Sequence, residues 1–143
     1  MAENLDKRPV VLVISDKAIE IEEMESHLPE NGFDVLTAPD GYEGLLLAQE
    51  KKPNLIITSL KAKRISGAKL ARLLKFDKKY RDIPIIAIFD DDTQENLDLI
   101  HSLRIERFVK RPLDYDQLVM NIRNLFSESE IGGSSRRRCF NCM

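Results

Sequence analysis

Residues Leu55–Gly67 read LIITSLKAKRISG. Leu55, Ile56, Ile57 and Thr58 are apolar or β-branched and run up to Ser59. A loop with Lys61, Lys63 and Arg64 follows, and Gly67 opens a helical pattern. This is a buried strand that spills into a crossover, the place where an open α/β sheet keeps its chemistry. A carboxylate would suit that strand tip, yet the residue is serine.

The flanking sequence repeats the same unit. Upstream, Val10–Ile14, "VVLVI", is continuously apolar after Pro9, as in a strand covered on both faces. Ala18, Ile21, Met24 and Leu28 then recur at helical steps with glutamates between them, and Pro29 and Gly32 end that helix. "FDVLTA" alternates as a shorter strand, and a helix from Gly41 to Glu50 stops before Pro53. Downstream of Ser59, Leu70, Leu73 and Leu74 share one helix face, with Lys69, Arg72 and Lys75 turned outward. Pro84 introduces a fourth strand, Ile85–Phe89. Asp92 and Glu95 have the form of a capping box for a helix burying Leu97, Ile100 and Leu103. A short fifth strand lies around Arg107–Val109, and Asp114 caps a last helix burying Leu118, Ile122, Leu125 and Phe126.

Five β–α pairs in strict alternation predict a parallel sheet with helices on both faces and right-handed crossovers. The expected fold is α/β, a flavodoxin-like three-layer α/β/α sandwich. Its five strands suit the order 2-1-3-4-5, although alternation alone leaves that order open. The folded domain is expected over residues 8–127. "IGGSSRRR" reads as the linker of a flexible tail over 128–143.

At 143 residues, with 43% hydrophobic and 32% charged content, the chain suits one globular domain. No apolar run approaches the ~20 residues of a membrane span, and "MAENLDKRP" lacks the apolar stretch of a secretory signal. A cytoplasmic location is the default. The formal charge of −2 conceals an uneven distribution. Lys61–Arg81 holds nine Lys or Arg against Asp77, whereas the first helix is acidic, with Glu20, Glu22, Glu23 and Glu25. Solvated faces of opposite sign explain this most simply, and an anionic partner for the basic face is the sharper reading. No aromatics are interleaved to stack on bases, which disfavours nucleic acid. Cys139 and Cys142 form a lone C-x-x-C pair in the tail, half of any zinc site, and read as exposed thiols. His27 and His101 stand alone on separate helices, so no metal site is expected.

From Pro9 to about Phe126 the chain resembles the receiver domain of two-component response regulators. "KPNLIIT", "DIPIIAIF", "KRPLD" and "NGFDVLTAPDGYEGL" carry the likeness, in order and without a large insertion. The resemblance supports the 2-1-3-4-5 order and implies phosphoryl transfer from a histidine kinase to an aspartate. Such transfer needs a carboxylate at the third strand tip and an acidic pair after the first strand, since Mg²⁺ demands hard oxygen ligands. It also needs a Ser or Thr ending the fourth strand and a Lys after the fifth. Those positions match Ser59, Ser15 and Asp16, Phe89, and Arg111 here, so only Asp16 keeps its family identity. Lys110 would fill the lysine slot in a shifted register, but the following Pro112 anchors that slot at Arg111.

Each departure has a consequence. A serine hydroxyl is a poor nucleophile without a base, and the one remaining carboxylate, Asp16, leaves Mg²⁺ bound weakly or not at all. Phe89 is too large and apolar for phosphate and should fill the cavity. Arg111, whose planar fork favours bidentate pairing, is expected to reach Asp16. The Arg111-Pro112 bond matches a position where receivers commonly hold a cis peptide, an isomer that proline brings within ~0.5–1 kcal/mol of trans. Phe108 matches the aromatic that turns inward on phosphorylation, and here is either core or locked.

The expected function is therefore a degenerate pseudo-receiver: not an enzyme, without a cofactor, and a phosphorylation-independent interaction module. It would dock a signalling protein or self-associate through the fourth helix, fifth strand and fifth helix. Two alternatives remain. One is phosphorylation displaced to Asp16 or Asp90, and the other is anion or nucleotide binding by Lys61, Lys63 and Arg64.

Overall fold

The computed structural model describes residues 8–60, 66–90 and 93–131. Strands β1 (Val10–Ile14), β2 (Asp34–Ala38), β3 (Leu55–Ser59), β4 (Ile85–Phe89) and β5 (Arg107–Lys110) alternate with helices α1 (Ala18–Glu30), α2 (Gly41–Lys51), α3 (Gly67–Lys75), α4 (Gln94–Ser102) and α5 (Tyr115–Ile131). The strands form one parallel sheet in the order β2-β1-β3-β4-β5. This is the flavodoxin-like fold.

Strand parity divides the core into two layers, because successive side chains leave a strand on opposite faces. Val11, Val13, Leu55, Ile57, Ile86 and Ile88 pack under α1 and α5. Leu12, Ile14, Ile56, Ile85, Ala87 and Phe89 pack under α2, α3 and α4. Both faces of the central strands are therefore dry, which is why β1, β3 and β4 read as unbroken apolar runs. Gly44 lets α2 come close to β1, since a Cβ there would sit 2.3 Å from Ile14 Cδ1.

Local chemistry sets the helix ends. Asp40 accepts from Glu43 N at 3.0 Å, and Ser66 accepts from Lys69 N at 3.2 Å. Asp114 accepts from Asp116 N and Gln117 N at the start of α5. The helix α4 departs from expectation, because its cap is Thr93, which accepts from Asn96 N at 3.2 Å. Asp92, the expected cap, lies outside the described residues. Pro29 does not stop α1 but sits inside its last turn, and Gly32, at φ +98°, reverses the chain. The helix α5 continues to Ile131, past the Phe126 at which its apolar periodicity ends.

Lys75 differs more. The helical period of α3 places it outward, yet its side chain is only 8% exposed and meets a Glu106 side chain that is 7% exposed, at 2.7 Å. Its ammonium also donates to the Arg81 and Ile83 carbonyls, and Glu106 accepts from Ile85 N at 2.9 Å. A flexible stem lets the last lysine of α3 fold back over the chain entering β4. Breaking such a pair from one side strands a buried charge. Lys75→Met is expected to lower unfolding stability by about 3 kcal/mol in urea titrations. A Lys75→Met/Glu106→Gln double variant should recover a large share of that loss.

Candidate functional site

The carboxyl ends of β1, β3 and β4, with the residue that follows β5, converge as a parallel sheet of this order requires. Ser15, Ser59, Phe89 and Arg111 therefore meet as their positions in the sequence imply. Ser59 is 4% exposed, and its carbonyl oxygen accepts from Thr58 Oγ1 at 3.2 Å. The amino end of α3 is pressed onto that strand tip. A Cβ on Gly67 would sit 2.1 Å from the Ser59 carbonyl oxygen, so only glycine fits.

Arg111 organises the site. Its backbone N–H donates to the Phe89 carbonyl at 2.9 Å, which continues the β4–β5 ladder. The Arg111–Pro112 peptide is cis. The guanidinium pairs bidentately with Glu20: Nη2 donates to Oε1 at 3.0 Å and Nε to Oε2. Its remaining arm, Nη1, reaches Asp90 Oδ1 at 3.1 Å. The Glu20 Oε1 atom also accepts from the Ser15 hydroxyl at 2.8 Å, and that hydroxyl in turn accepts from Lys17 N at 3.1 Å. Ser59, Phe89, Asp90, Asn96 and Arg111 are left around a cavity of about 10 Å³, room for about one water.

The expected Arg111–Asp16 pair is not what forms. Asp16 is exposed at the turn before α1, and Glu20, one turn into the helix, takes the guanidinium instead. The spacing of α1 carries the signal for Glu20. Glu20, Met24 and Leu28 are spaced by four and form the buried stripe of α1, while Ile19 is 69% exposed. A glutamate on a buried stripe requires a cation, and Arg111 is that cation.

Phe89 is buried in the α2–α4 layer, and its ring meets Phe108 edge-on, 5.5 Å between centroids and 76° between planes. Phe108 is half-buried. Asp90 lies beside the site, whereas Asp91, Asp92 and the basic Lys61, Lys63 and Arg64 fall outside the described residues. His27 stacks on Tyr115 at 4.7 Å, and Tyr115 donates to Glu23 at 2.6 Å, a clasp between α1 and α5. Burial, joined by the Glu23 carboxylate, holds the Tyr115 phenol well above its ordinary pKa.

Burial pushes the Glu20 carboxyl up, but hydrogen bonds from Arg111 and Ser15 outweigh it and leave Glu20 below the ordinary carboxylate range. The pairing with Glu20 works against burial to raise Arg111 further above its ordinary value. Among the described residues, no three His, Cys, Asp or Glu side chains converge in a metal-holding group.

The family model for the response regulator receiver domain matches residues 11–123. The chain belongs to that family. Two relatives illustrate its range. The hybrid signal transduction histidine kinase D of Dictyostelium discoideum is 29% identical over 87% of this chain, which spans 8% of that protein's length. The polar-differentiation response regulator DivK of Brucella anthropi is 22% identical over 83% of this chain and 97% of its own. Among solved structures, a response regulator receiver protein from Pseudomonas putida is 27% identical, with a TM-score of 0.76 over 82% of this chain and 98% of its own. A CheY-like receiver from Methanospirillum hungatei JF-1 is 19% identical, with a TM-score of 0.82 over 89% of this chain and all of its own. The protein is thus a receiver of two-component signalling, a family of generally non-enzymatic modules that meet protein partners. No helix among the described residues is long and apolar enough to cross a membrane.

The ion pair gives this receiver a specific acid dependence. The folded-state pKa of Glu20 is lowered, so its contribution to stability is fully present above the unfolded-state value. That contribution is lost as pH falls through the folded-state pKa. Glu20→Gln is expected to lower the urea midpoint at neutral pH and to flatten its decline under acid. An unchanged acid limb would show that Glu20 is not the coupled group.

Proposed function

We propose that this receiver is a phosphorylation-independent interaction module, a pseudo-receiver whose phosphoryl chemistry has been replaced by a fixed internal salt bridge. One observation carries the reading. The guanidinium of Arg111 is committed on three nitrogens to Glu20 and Asp90 at the place where strand-end chemistry would occur.

The other residues support it. Ser59 offers a hydroxyl where the family's reaction needs a carboxylate. Phe89 brings an aromatic ring where that reaction needs a hydroxyl, lining the small cavity with its ring edge-on to Phe108. The residues do not suit Mg²⁺. Asp16 is exposed, the Glu20 oxygens already serve Arg111 and Ser15, and the neighbouring guanidinium opposes a dication. Ser15 and Glu20 do not read as a nucleophile–base pair either, since Ser15 is 1% exposed and Glu20, held below its ordinary range, is a weak base. Among the described residues, this site therefore offers no parts for an enzymatic role.

The partner is a signalling protein or a second copy, meeting the face built by α4, β5 and α5 in the cytoplasm. Phe108 lies in β5 with its ring against Phe89, so the state of the pocket and the shape of that face are joined by one aromatic contact. In this chain that contact waits on no phosphoryl group.

Incubation with acetyl phosphate and Mg²⁺, followed by intact-mass measurement, tests the reading. No phosphoryl adduct is expected, on the wild type or on a Ser59→Asp variant, because Arg111, Phe89 and the acidic pair broken by Ser15 all remain unsuited. A labile adduct on the wild type, mapped to Asp16 or Asp90, would overturn it in favour of displaced phosphorylation.

A further inference from the structure

At the opposite end of the sheet lies a groove of about 440 Å³ with Lys75 and Glu106 in its lining. Those two charges are spent on each other. The lining also includes Arg81, just before β4, and Arg104, just after α4, together with Phe76 and Leu103. Arg81 and Arg104 are exposed, and neither side chain has an ion-pair or hydrogen-bond partner among the described residues. Phe76 is 77% exposed.

Arg104 is also conformationally unusual. It follows α4 at φ +59°, a left-handed position that commonly falls to glycine, and a non-glycine residue there is strained by about 1–2 kcal/mol. An unpartnered arginine held in that conformation, beside an exposed phenylalanine and the neighbouring Lys78 and Lys79, makes a surface that is cationic and apolar at once. A small inorganic anion would leave Phe76 unused. A protein surface with both acidic and apolar groups meets the two arginines and Phe76 together.

Such a surface exists on this chain. The outward stripe of α1, opposite its buried Glu20–Met24–Leu28 stripe, carries Ile19, Glu22, Ser26 and Glu30, with Glu25 alongside. Ile19 is 69% exposed, and no basic side chain other than His27 lies anywhere in the helix. The helix α1 packs on the opposite face of the sheet from α3 and α4, so one molecule cannot close this stripe onto its own groove.

We propose that the groove beside the carboxyl ends of α3 and α4 docks the acidic face of α1 from a second copy of this chain. Arg81 and Arg104 pair with Glu22 and Glu30, and Ile19 meets Phe76. Because the two surfaces differ, the contact is head-to-tail, and its repetition gives an open series rather than a closed dimer. The inference does not rest on the state of the phosphorylation pocket, and its failure would leave the pseudo-receiver reading untouched.

The experiment is light scattering or sedimentation at increasing protein concentration, in about 0.01 M and about 1 M salt, where charges are screened beyond about 30 Å and about 3 Å respectively. At low salt the weight-average mass should at least double and keep rising with concentration. At high salt it should return to that of the monomer. The groove variant Arg81→Glu/Arg104→Asp and the helix variant Glu22→Arg/Glu30→Arg should each remain monomeric, since each then opposes like charges. Mixed in equal amounts, they should associate again, because each supplies the surface the other lacks. All substituted positions are exposed, and Asp tolerates the left-handed conformation. Circular dichroism checks that both variants fold. A wild type that stays monomeric at low salt, association that persists in either variant, or a mixture that fails to associate would each overturn the proposal.

Discussion

The bidentate contact between Arg111 and Glu20 is the constraint on which the functional end of this domain depends. A carboxylate on the buried stripe of α1 would be costly without a cation, and a guanidinium beneath the strand ends would be costly without an anion. The Glu20 side chain is 10% exposed and that of Arg111 14%, so water does little to relieve either. Each therefore makes the other tolerable, and Ser15 and Asp90 complete the set of acceptors and donors. The arrangement joins α1 to the chain leaving β5, two segments whose strands are separated in the sheet by β3 and β4.

Neutralisation from within changes what the receiver fold can do. The family's chemistry places anionic oxygens at the strand ends so that an external dication and an external phosphoryl group can be gripped. Here an internal cation is fixed by internal anions. The aromatic pair of buried Phe89 and half-buried Phe108 carries the same logic toward β5 through its edge-on packing. On the proposed reading, a domain of this kind would offer partners a constant surface. Signalling through it would turn on where and when that surface is met.

Much of this was readable from residues. The apolar runs of β1, β3 and β4 and the β–α alternation specify a sheet covered on both faces, and the receiver landmarks supply its order. The convergence of Ser15, Ser59, Phe89 and Arg111 follows from that order, because each lies at the carboxyl end of a strand. The partner of Arg111 was misread. Asp16 is adjacent to the family's slot in sequence, whereas Glu20 is adjacent in space through the turn of α1. Lys75 was misplaced for a related reason. Helical periodicity gives the direction of Cβ, not where four methylenes carry an ammonium once a buried carboxylate waits nearby. Thr93 in place of Asp92 as the cap of α4 is a one-residue shift between two good capping residues, which composition alone does not resolve.

The account rests on Arg111 holding Glu20 whatever ligands are offered. The most direct measurement follows the Arg111 guanidinium Nε–H and the backbone amides of residues 15, 16, 20, 59 and 111 by nitrogen-15 NMR, while Mg²⁺ and then trifluoroberyllate are titrated in. The account predicts that the Nε–H signal stays protected from exchange with water and that these amides do not shift with ligand concentration. Saturable shifts at residues 16 and 59, together with loss of the protected Arg111 signal, would show that the pair opens to admit a metal and a phosphoryl mimic, and would contradict it.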